Sequence, residues 1–514
     1  MNRIVSSLCG MALAGFVMQA ALAADAGAPA DKDAKKAAEK IPEAKVFVTH
    51  HKGRVGATSI SYTATAGTML MKNDKDEPVA LFGFTAYARD DADKRTRPIV
   101  FAYNGGPGSA SAWLHMGILG PKRTVLDDLV YNTHGPFRMV ENEYSILDVA
   151  DLVMIDPIGT GFSRPIGKGE GKDFWGVDQD VTSVSDFIVQ YLSEYGRWAS
   201  PKFILGESYG GMRTGGVSFA LLTRHNVALN GVILVSPFMD VGAGFAGLRI
   251  DEPYINFLST YAATAWYQRV LKDRPEQLQP FLREVEAFSE DVYAPVLFKG
   301  TRATAAERQT VLAGLERYTG ISAAYWDKAN LRLDEGQFLQ ELMRSKGKVI
   351  GRIDSRYVGD TIDRLGESMD YDPYSAAVAP AIVATFNAYY REDLKVESDR
   401  EYILSGRLWK HWDNSHAQPD MQGGKSPLAN TAVDLAQALT MNPKMQVLIQ
   451  QGYFDLAVPY RTIQYVVEHL DVAPELRANV HFEYYDAGHM MYVHPPSMKK
   501  FKDTTAEFIR SNTR

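Results

Sequence analysis

Among the 514 residues of this chain, a serine held between glycines, two late carboxylates and two late histidines are the groups that could do chemistry. Ser208 lies in Gly206-Glu207-Ser208-Tyr209-Gly210, after the apolar run Phe203-Ile204-Leu205 and before helical spacing at Val217, Ala220 and Leu221. A Gly-x-Ser-x-Gly sequence between a strand and a helix is a nucleophile elbow, a turn so sharp that it pushes the serine hydroxyl out at the end of a sheet. That hydroxyl is a poor nucleophile at neutral pH and needs a base, and the base needs an orienting carboxylate. His489, in Asp486-Ala487-Gly488-His489-Met490, directly follows the last strand-like run, and the glycine before it permits a tight loop. His494, five residues on and followed by two prolines, is its rival. Asp455, in Gln451-Gly452-Tyr453-Phe454-Asp455, follows the preceding strand-like run, whereas Asp486 shares the histidine's loop and reads better as a turn residue.

The order Ser208, Asp455, His489 is the nucleophile–acid–base order of the α/β-hydrolases. An oxyanion site should join the amide after the nucleophile, Tyr209, to an amide from an early strand–loop junction. Asn104-Gly105-Gly106-Pro107-Gly108 stands at such a junction, and Gly106 is the expected second donor, a plain tight turn being the competing reading.

Positioning these groups requires a sheet. Lys45 to Thr49, Thr58 to Ala64 and Val79 to Tyr87 read as an antiparallel start. Buried runs at Arg97 to Tyr103, Val149 to Ile155, Phe203 to Leu205, Gly231 to Val235, Met445 to Ile449 and Val480 to Tyr485 alternate with helical patterns. That rhythm predicts a mostly parallel sheet with helices on both faces. It stops between about Val241 and Gly424, a helical and aromatic stretch with a capping box at Thr304 and Glu307. The expected organisation is a core of residues 44–240 and 425–514 interrupted by a helical insertion, 241–424.

Composition narrows the class. Hydrophobic content of 46% and charged content of 23% are those of a globular protein, and a formal charge of −7 gives no reason to expect nucleic acid. Residues 1–23 read as a signal peptide with Arg3 at its start and Ala21-Leu22-Ala23 as its cleavage site; 24–43 read as a disordered linker. The one cysteine, Cys9, lies inside that leader, and no Asn-x-Ser/Thr sequon occurs, which together favour a bacterial periplasmic or secreted enzyme without a stable membrane anchor. No cofactor is expected: there is no phosphate-cradling loop and no dinucleotide fingerprint, and His411 with His416 lacks zinc-ligand spacing. The insertion's aromatics read as core rather than pocket lining, and Arg352-Ile353-Asp354-Ser355-Arg356 as surface pairs or turns.

Five motifs together resemble the serine carboxypeptidases: Asn104-Gly105-Gly106-Pro107-Gly108, Asp156-Pro157-Ile158-Gly159-Thr160-Gly161-Phe162-Ser163, Gly206-Glu207-Ser208-Tyr209-Gly210-Gly211, Gly452-Tyr453-Phe454-Asp455 and Gly488-His489-Met490. The resemblance implies an α/β-hydrolase with a helical insertion that releases C-terminal amino acids from peptide substrates. It implies the same triad and oxyanion donors, and it assigns Asn104 and Glu207 to the substrate's terminal carboxylate. A carboxylate can meet Glu207 only if that side chain is protonated or shares a proton, so such a site should work best in acid. Three positions depart from the family pattern: Ala102 replaces a tryptophan, Ile118 replaces a carboxylate-binding glutamate before Leu119-Gly120-Pro121, and Ser109 replaces a cysteine. An esterase or acyltransferase on the same scaffold is therefore the alternative, and a non-catalytic binding protein a more distant one.

Overall fold

The computed structural model describes residues 41–245 and 250–513. The signal-peptide reading and all but the last three residues of the linker reading lie outside the described residues. Among the described residues the main sheet has ten strands, of which nine lie side by side: β1 (Val46–Val55), β2 (Thr58–Lys72), β3 (Pro78–Arg89), β4 (Ile99–Tyr103), β5 (Asp151–Asp156), β6 (Lys202–Glu207), β7 (Gly231–Val235), β8 (Gln446–Gly452) and β9 (Val480–Tyr485); the tenth, the two-residue strand Arg164–Pro165, pairs with β3. Their order across the sheet is β1-β2-β3-β5-β4-β6-β7-β8-β9. β1, β2 and β3 pair antiparallel, as does β3 with β5, and every pairing from β5 to β9 is parallel. β2 outruns its expected end at Ala64: the alternation runs on to Ala66, breaks at the buried Gly67, and resumes with Met69 and Met71 buried in the opposite core.

The helices that matter here are α1 (Val177–Glu194), α2 (Tyr209–His225), α3 (Glu252–Tyr267), α4 (Ala305–Thr319), α5 (Pro373–Ala388), α6 (Ala432–Met441), α7 (Tyr460–Glu468) and α8 (Pro495–Ser511). Strand side chains divide by parity between the faces. Phe101, Ile204, Leu234 and Ile449 pack with residues of α1, α2, α6 and α7. Ala102, Leu205, Val235 and Leu448 pack with residues of α5 and α8. This is the α/β-hydrolase arrangement that the strand–helix rhythm implies.

Residues between β7 and β8 do two different things. α3 and α4 build a separate apolar core around Tyr261, Leu315 and Trp326, joined by Phe454, Leu456 and Tyr460 from the segment after β8. α5 instead lies on the sheet itself, with Tyr389 and Tyr390 just beyond it buried against strand residues. The insertion's large aromatics at these positions are packing residues. α4 begins with the expected capping box, Thr304 Oγ1 accepting from the Glu307 amide at 3.2 Å and Glu307 returning the bond to the Thr304 amide at 2.9 Å.

Candidate active site

The order of the sheet puts the two earliest motifs side by side. β4 and β6 are parallel neighbours with Tyr103 opposite Gly206, so the loops leaving both strands emerge together. This is the edge of an open α/β sheet where ligands bind. Ser208 stands between β6 and α2 with φ 61° and ψ −126°, the left-handed conformation expected of an elbow nucleophile, and it remains partly exposed. Gly105 lies so close that a Cβ on it would sit 2.4 Å from the Tyr209 amide nitrogen and 2.7 Å from the Glu207 carbonyl. Gly106, next in line, has φ 110° and is exposed, whereas Asn104 and Gly105 before it are buried against the elbow.

Asn104 is anchored from both sides. Its side-chain oxygen accepts from the Leu114 amide at 3.1 Å, and its carbonyl accepts from Arg213 Nη1 at 2.8 Å. Arg213, on α2, is fully buried and pairs through Nε with Asp180 of α1 at 2.7 Å. Asp156 supports the same loop further on, accepting from the Ser111 amide at 2.9 Å and from the Tyr402 hydroxyl at 3.0 Å. Burial pushes the Asp156 carboxyl up to about 6 against those bonds.

The late motifs meet on the other side of the elbow. β8 and β9 are parallel neighbours with Gly452 opposite Tyr485, and the turns that follow bring Asp455 to His489. His489 Nδ1 lies 2.8 Å from Asp455 Oδ2, leaving Nε2 as the nitrogen that can take a proton. Asp455 is fully buried, and its other bonds come from the Val458 amide at 2.9 Å and Gln451 Nε2 at 3.1 Å. Burial opposes charge on His489, but the facing Asp455 outweighs it and raises the imidazole pKa, with Glu207 adding to the effect and Arg352 subtracting from it. Asp455, and not Asp486, is the carboxylate that meets His489. The rival His494 is turned elsewhere, with Nδ1 bonded to Ser497 Oγ at 2.8 Å and Nε2 4.0 Å from Asp128. One turn ties the base to the elbow: Ser236 Oγ donates to the His489 carbonyl at 2.8 Å, and the Phe238 amide donates to the Ser208 carbonyl at 2.9 Å.

Arg352–Arg356 corrects the reading of that run as surface pairs. Asp354, Ser355 and Arg356 are buried, and the backbone of the run stitches the acid and base loops together. The Arg352 carbonyl accepts from Leu456, the Ile353 carbonyl from His489, and the Ser355 amide donates to Phe454. Gly488 is required by this strap, since a Cβ there would lie 2.4 Å from the Ile353 carbonyl oxygen and 2.5 Å from Asp354 Cα. Alternating charges in a short sequence look the same whether they face water or each other, so only the fold reveals the difference.

Glu207 is buried beside the elbow. It is 3% exposed, and its Oε2 accepts from the Tyr492 hydroxyl at 2.7 Å. Burial pushes its carboxyl up to about 7, opposed by His489 and by hydrogen bonds from Tyr492 and Asn104. Ala102 and Ile118 are both fully buried in the apolar core on this face of the sheet. Sequence reasoning missed Tyr492 and Arg213, and misread Arg352 as part of a surface run. Arg213 alone left a signal, a charged residue inside the Gly-rich elbow helix where only a buried partner would be tolerated.

A mostly parallel sheet covered by helices on both faces, with these loops at its strand ends, is the α/β-hydrolase fold. Residues 59–274 match the serine carboxypeptidase family model, Peptidase S10. It is 33% identical over 147 residues to the pheromone-processing carboxypeptidase KEX1 of Saccharomyces cerevisiae, covering 27% of this chain and 19% of that protein. It is 24% identical over 238 residues to serine carboxypeptidase-like 45 of Arabidopsis thaliana, covering 41% of this chain and 47% of that protein. The chain thus spans between about a fifth and a half of the length of these curated relatives. In structure it is similar to the prohormone-processing carboxypeptidase KEX1(delta)p from S. cerevisiae, with a TM-score of 0.52 at 15% identity, covering 87% of this chain and 91% of that one.

Proposed function

We propose that this protein is an exported serine-type carboxypeptidase that releases amino acids one at a time from the C-termini of peptides. The observation that carries the reading is Glu207: a buried carboxyl beside the elbow, held near neutrality in pKa, is poised to donate a hydrogen bond to a terminal carboxylate below about pH 7. Asn104, anchored by its side-chain oxygen, hydrogen-bonds Glu207 beside the elbow.

Ser208 Oγ attacks the last peptide carbonyl while its proton passes to His489 Nε2. Asp455 holds the opposite ring nitrogen and stabilises the imidazolium that forms. The Gly106 and Tyr209 amides receive the oxyanion. Collapse expels the terminal amino acid, whose nitrogen takes the proton from His489, and leaves an acyl-enzyme. Water then attacks that ester by the same proton route and frees Ser208. Export to the periplasm or medium, with cleavage near Ala23, belongs to this reading and rests on the leader-like character of residues 1–23.

The test is a mass-spectrometric time course on peptides presented in pairs, one with a free C-terminus and one with a C-terminal amide. Progressive shortening of the free acids alone is expected, together with covalent labelling by a fluorophosphonate that Ser208→Ala abolishes. Equal rates on acid and amide would move the assignment to an esterase or acyltransferase. Failure of the folded wild type to label would return it to a binding protein.

A further inference from the structure

Glu207 has a partner that nothing in the five motifs announces. Tyr492 follows the base by three residues, on the turn Met491–Val493, and its ring lies across the helical turn His115–Leu119 so closely that a Cβ on Gly117 would sit 2.5 Å from it. From there the hydroxyl donates to Glu207 Oε2 at 2.7 Å, and it also bonds Asn104. Ile118, on that same turn, contributes only apolar surface and is fully buried. The polar contact made to Glu207 from this side of the site therefore comes from Tyr492. We propose that Tyr492 is the specificity-determining positioning residue of this active site: its hydroxyl fixes the Glu207 carboxyl so that the acid proton sits on the oxygen offered to the substrate's terminal carboxylate.

The chemistry follows from donor and acceptor counting. A protonated carboxyl has one O–H and one acceptor oxygen, and which is which decides what it can bind. Tyr492 donates to Oε2, which makes Oε2 the acceptor, and in the protonated carboxyl this bond favours the proton on Oε1. An O–H on Oε1 donates to an incoming carboxylate, while an Oε1 that is itself an acceptor repels it. The bond does a second thing, because a donated hydrogen bond favours the charged form of Glu207 and opposes the effect of burial. Tyr492 thus sets the orientation of the acid and the upper pH at which it still carries its proton. The other groups that bear on Glu207 are His489 and Asp455 from the loops after β9 and β8, Asn104 after β4, and Tyr374 at the start of α5, whose hydroxyl is turned to Met490 Sδ at 3.3 Å. Asn104 also hydrogen-bonds the Glu207 carboxyl, and the bond placed on Oε2 is that of Tyr492.

This inference rests on the reading of Glu207 as the carboxylate-binding acid, and the experiment separates the two. Selectivity, the ratio of kcat/KM for a free-acid peptide to that for its amide, is measured from pH 4 to 9 in the full-length protein. Tyr492→Phe keeps the ring and removes the donor. Its selectivity should fall roughly fivefold to tenfold, the worth of one buried hydrogen bond. Its alkaline limb should move to higher pH by about half a unit or more. A fluorotyrosine placed at 492, a stronger donor of nearly the same shape, should keep the selectivity and move the limb to lower pH. Shifts of opposite sign establish the proposal, and the fluorotyrosine protein alone decides it if Tyr492→Phe does not fold. Stationary limbs in both proteins, with wild-type selectivity intact, overturn the role of Tyr492 and leave the carboxypeptidase reading standing. A wild type that does not distinguish acid from amide overturns both.

Discussion

The main-chain amide of His489 donates to the carbonyl of Ile353 at 2.7 Å, so the height of the base loop is set by a residue of the long segment between β7 and β8. The neighbour of Ile353 adds charge to that control. Arg352 pairs with Glu335 at 2.6 Å and disfavours the imidazolium form of His489. Replacing it by glutamine removes a cation that lowers the imidazole pKa, so the base should be lost to protonation at a higher pH than in the wild type. In Arg352→Gln the acidic limb of kcat/KM on an ester substrate should move upward. An unmoved limb, with the protein folded, would mean that the strap acts through its backbone alone.

Glu207→Gln tests the other limb. Burial raises the Glu207 carboxyl to about 7, so its neutral form persists well above the usual carboxylate range and is lost as pH rises through that value. Activity on free-acid peptides should therefore decline above about pH 7 in the wild type. Glutamine keeps a donor and does not titrate, so that decline should disappear from the ratio of acid to amide hydrolysis. Because Glu207 and His489 act on each other, the wild-type limbs belong to the pair, and the variant's remaining limb belongs to His489.

How much of this was legible in the sequence depends on what each residue has to announce it. The parallel strands showed themselves as apolar runs, and Ser208, Asp455 and His489 drew notice because each follows such a run within a few residues. Asp455 and His489 lie beyond the segment that the family model matches; their strand-end positions singled them out ahead of Asp486 and His494, and their side chains stand 2.8 Å apart. The strap at Arg352–Arg356 was misread because burial of charged residues by partners distant in sequence leaves no periodic trace. Tyr492 was invisible for a related reason: one tyrosine among 26 gives no sign that its hydroxyl reaches the residue before the nucleophile. Gly488 was expected to serve a tight turn, whereas it is needed for the close approach of the strap.

Gly105 offers a test of the oxyanion loop that leaves the triad chemically intact. A methyl group there would meet only backbone, 2.4 Å from the Tyr209 nitrogen and 2.7 Å from both the Glu207 carbonyl and the Gly210 nitrogen, and backbone cannot rotate aside as a side chain can. Gly105→Ala must push the Asn104–Gly106 turn away from the elbow. Misplacing one oxyanion donor costs about 10²-fold or more in kcat. The expected outcome is a loss of that order with fluorophosphonate labelling slowed in parallel. A variant of wild-type kcat would show that the turn touches no reacting atom.

His416 predicts a pH dependence of stability that is separate from catalysis. Its Nδ1 lies 2.7 Å from Asp178 of α1 and its Nε2 2.8 Å from Asp434 of α6, so both nitrogens face carboxylates and both must donate. That geometry holds an imidazolium, and it clamps the segment before β8 to the two helices that flank α2. Burial works against the charge, but the two carboxylates outweigh it and raise the pKa to about 9. A histidine pKa raised on folding adds stability that is complete below its ordinary value of 6.5 and is lost as pH rises through the folded one. Between about pH 6.5 and 9 the wild-type Tm should therefore fall relative to that of His416→Asn, which cannot carry the charge. Thermal unfolding of both proteins across that range checks the claim, and a gap in Tm that stays constant with pH would show that His416 is held neutral.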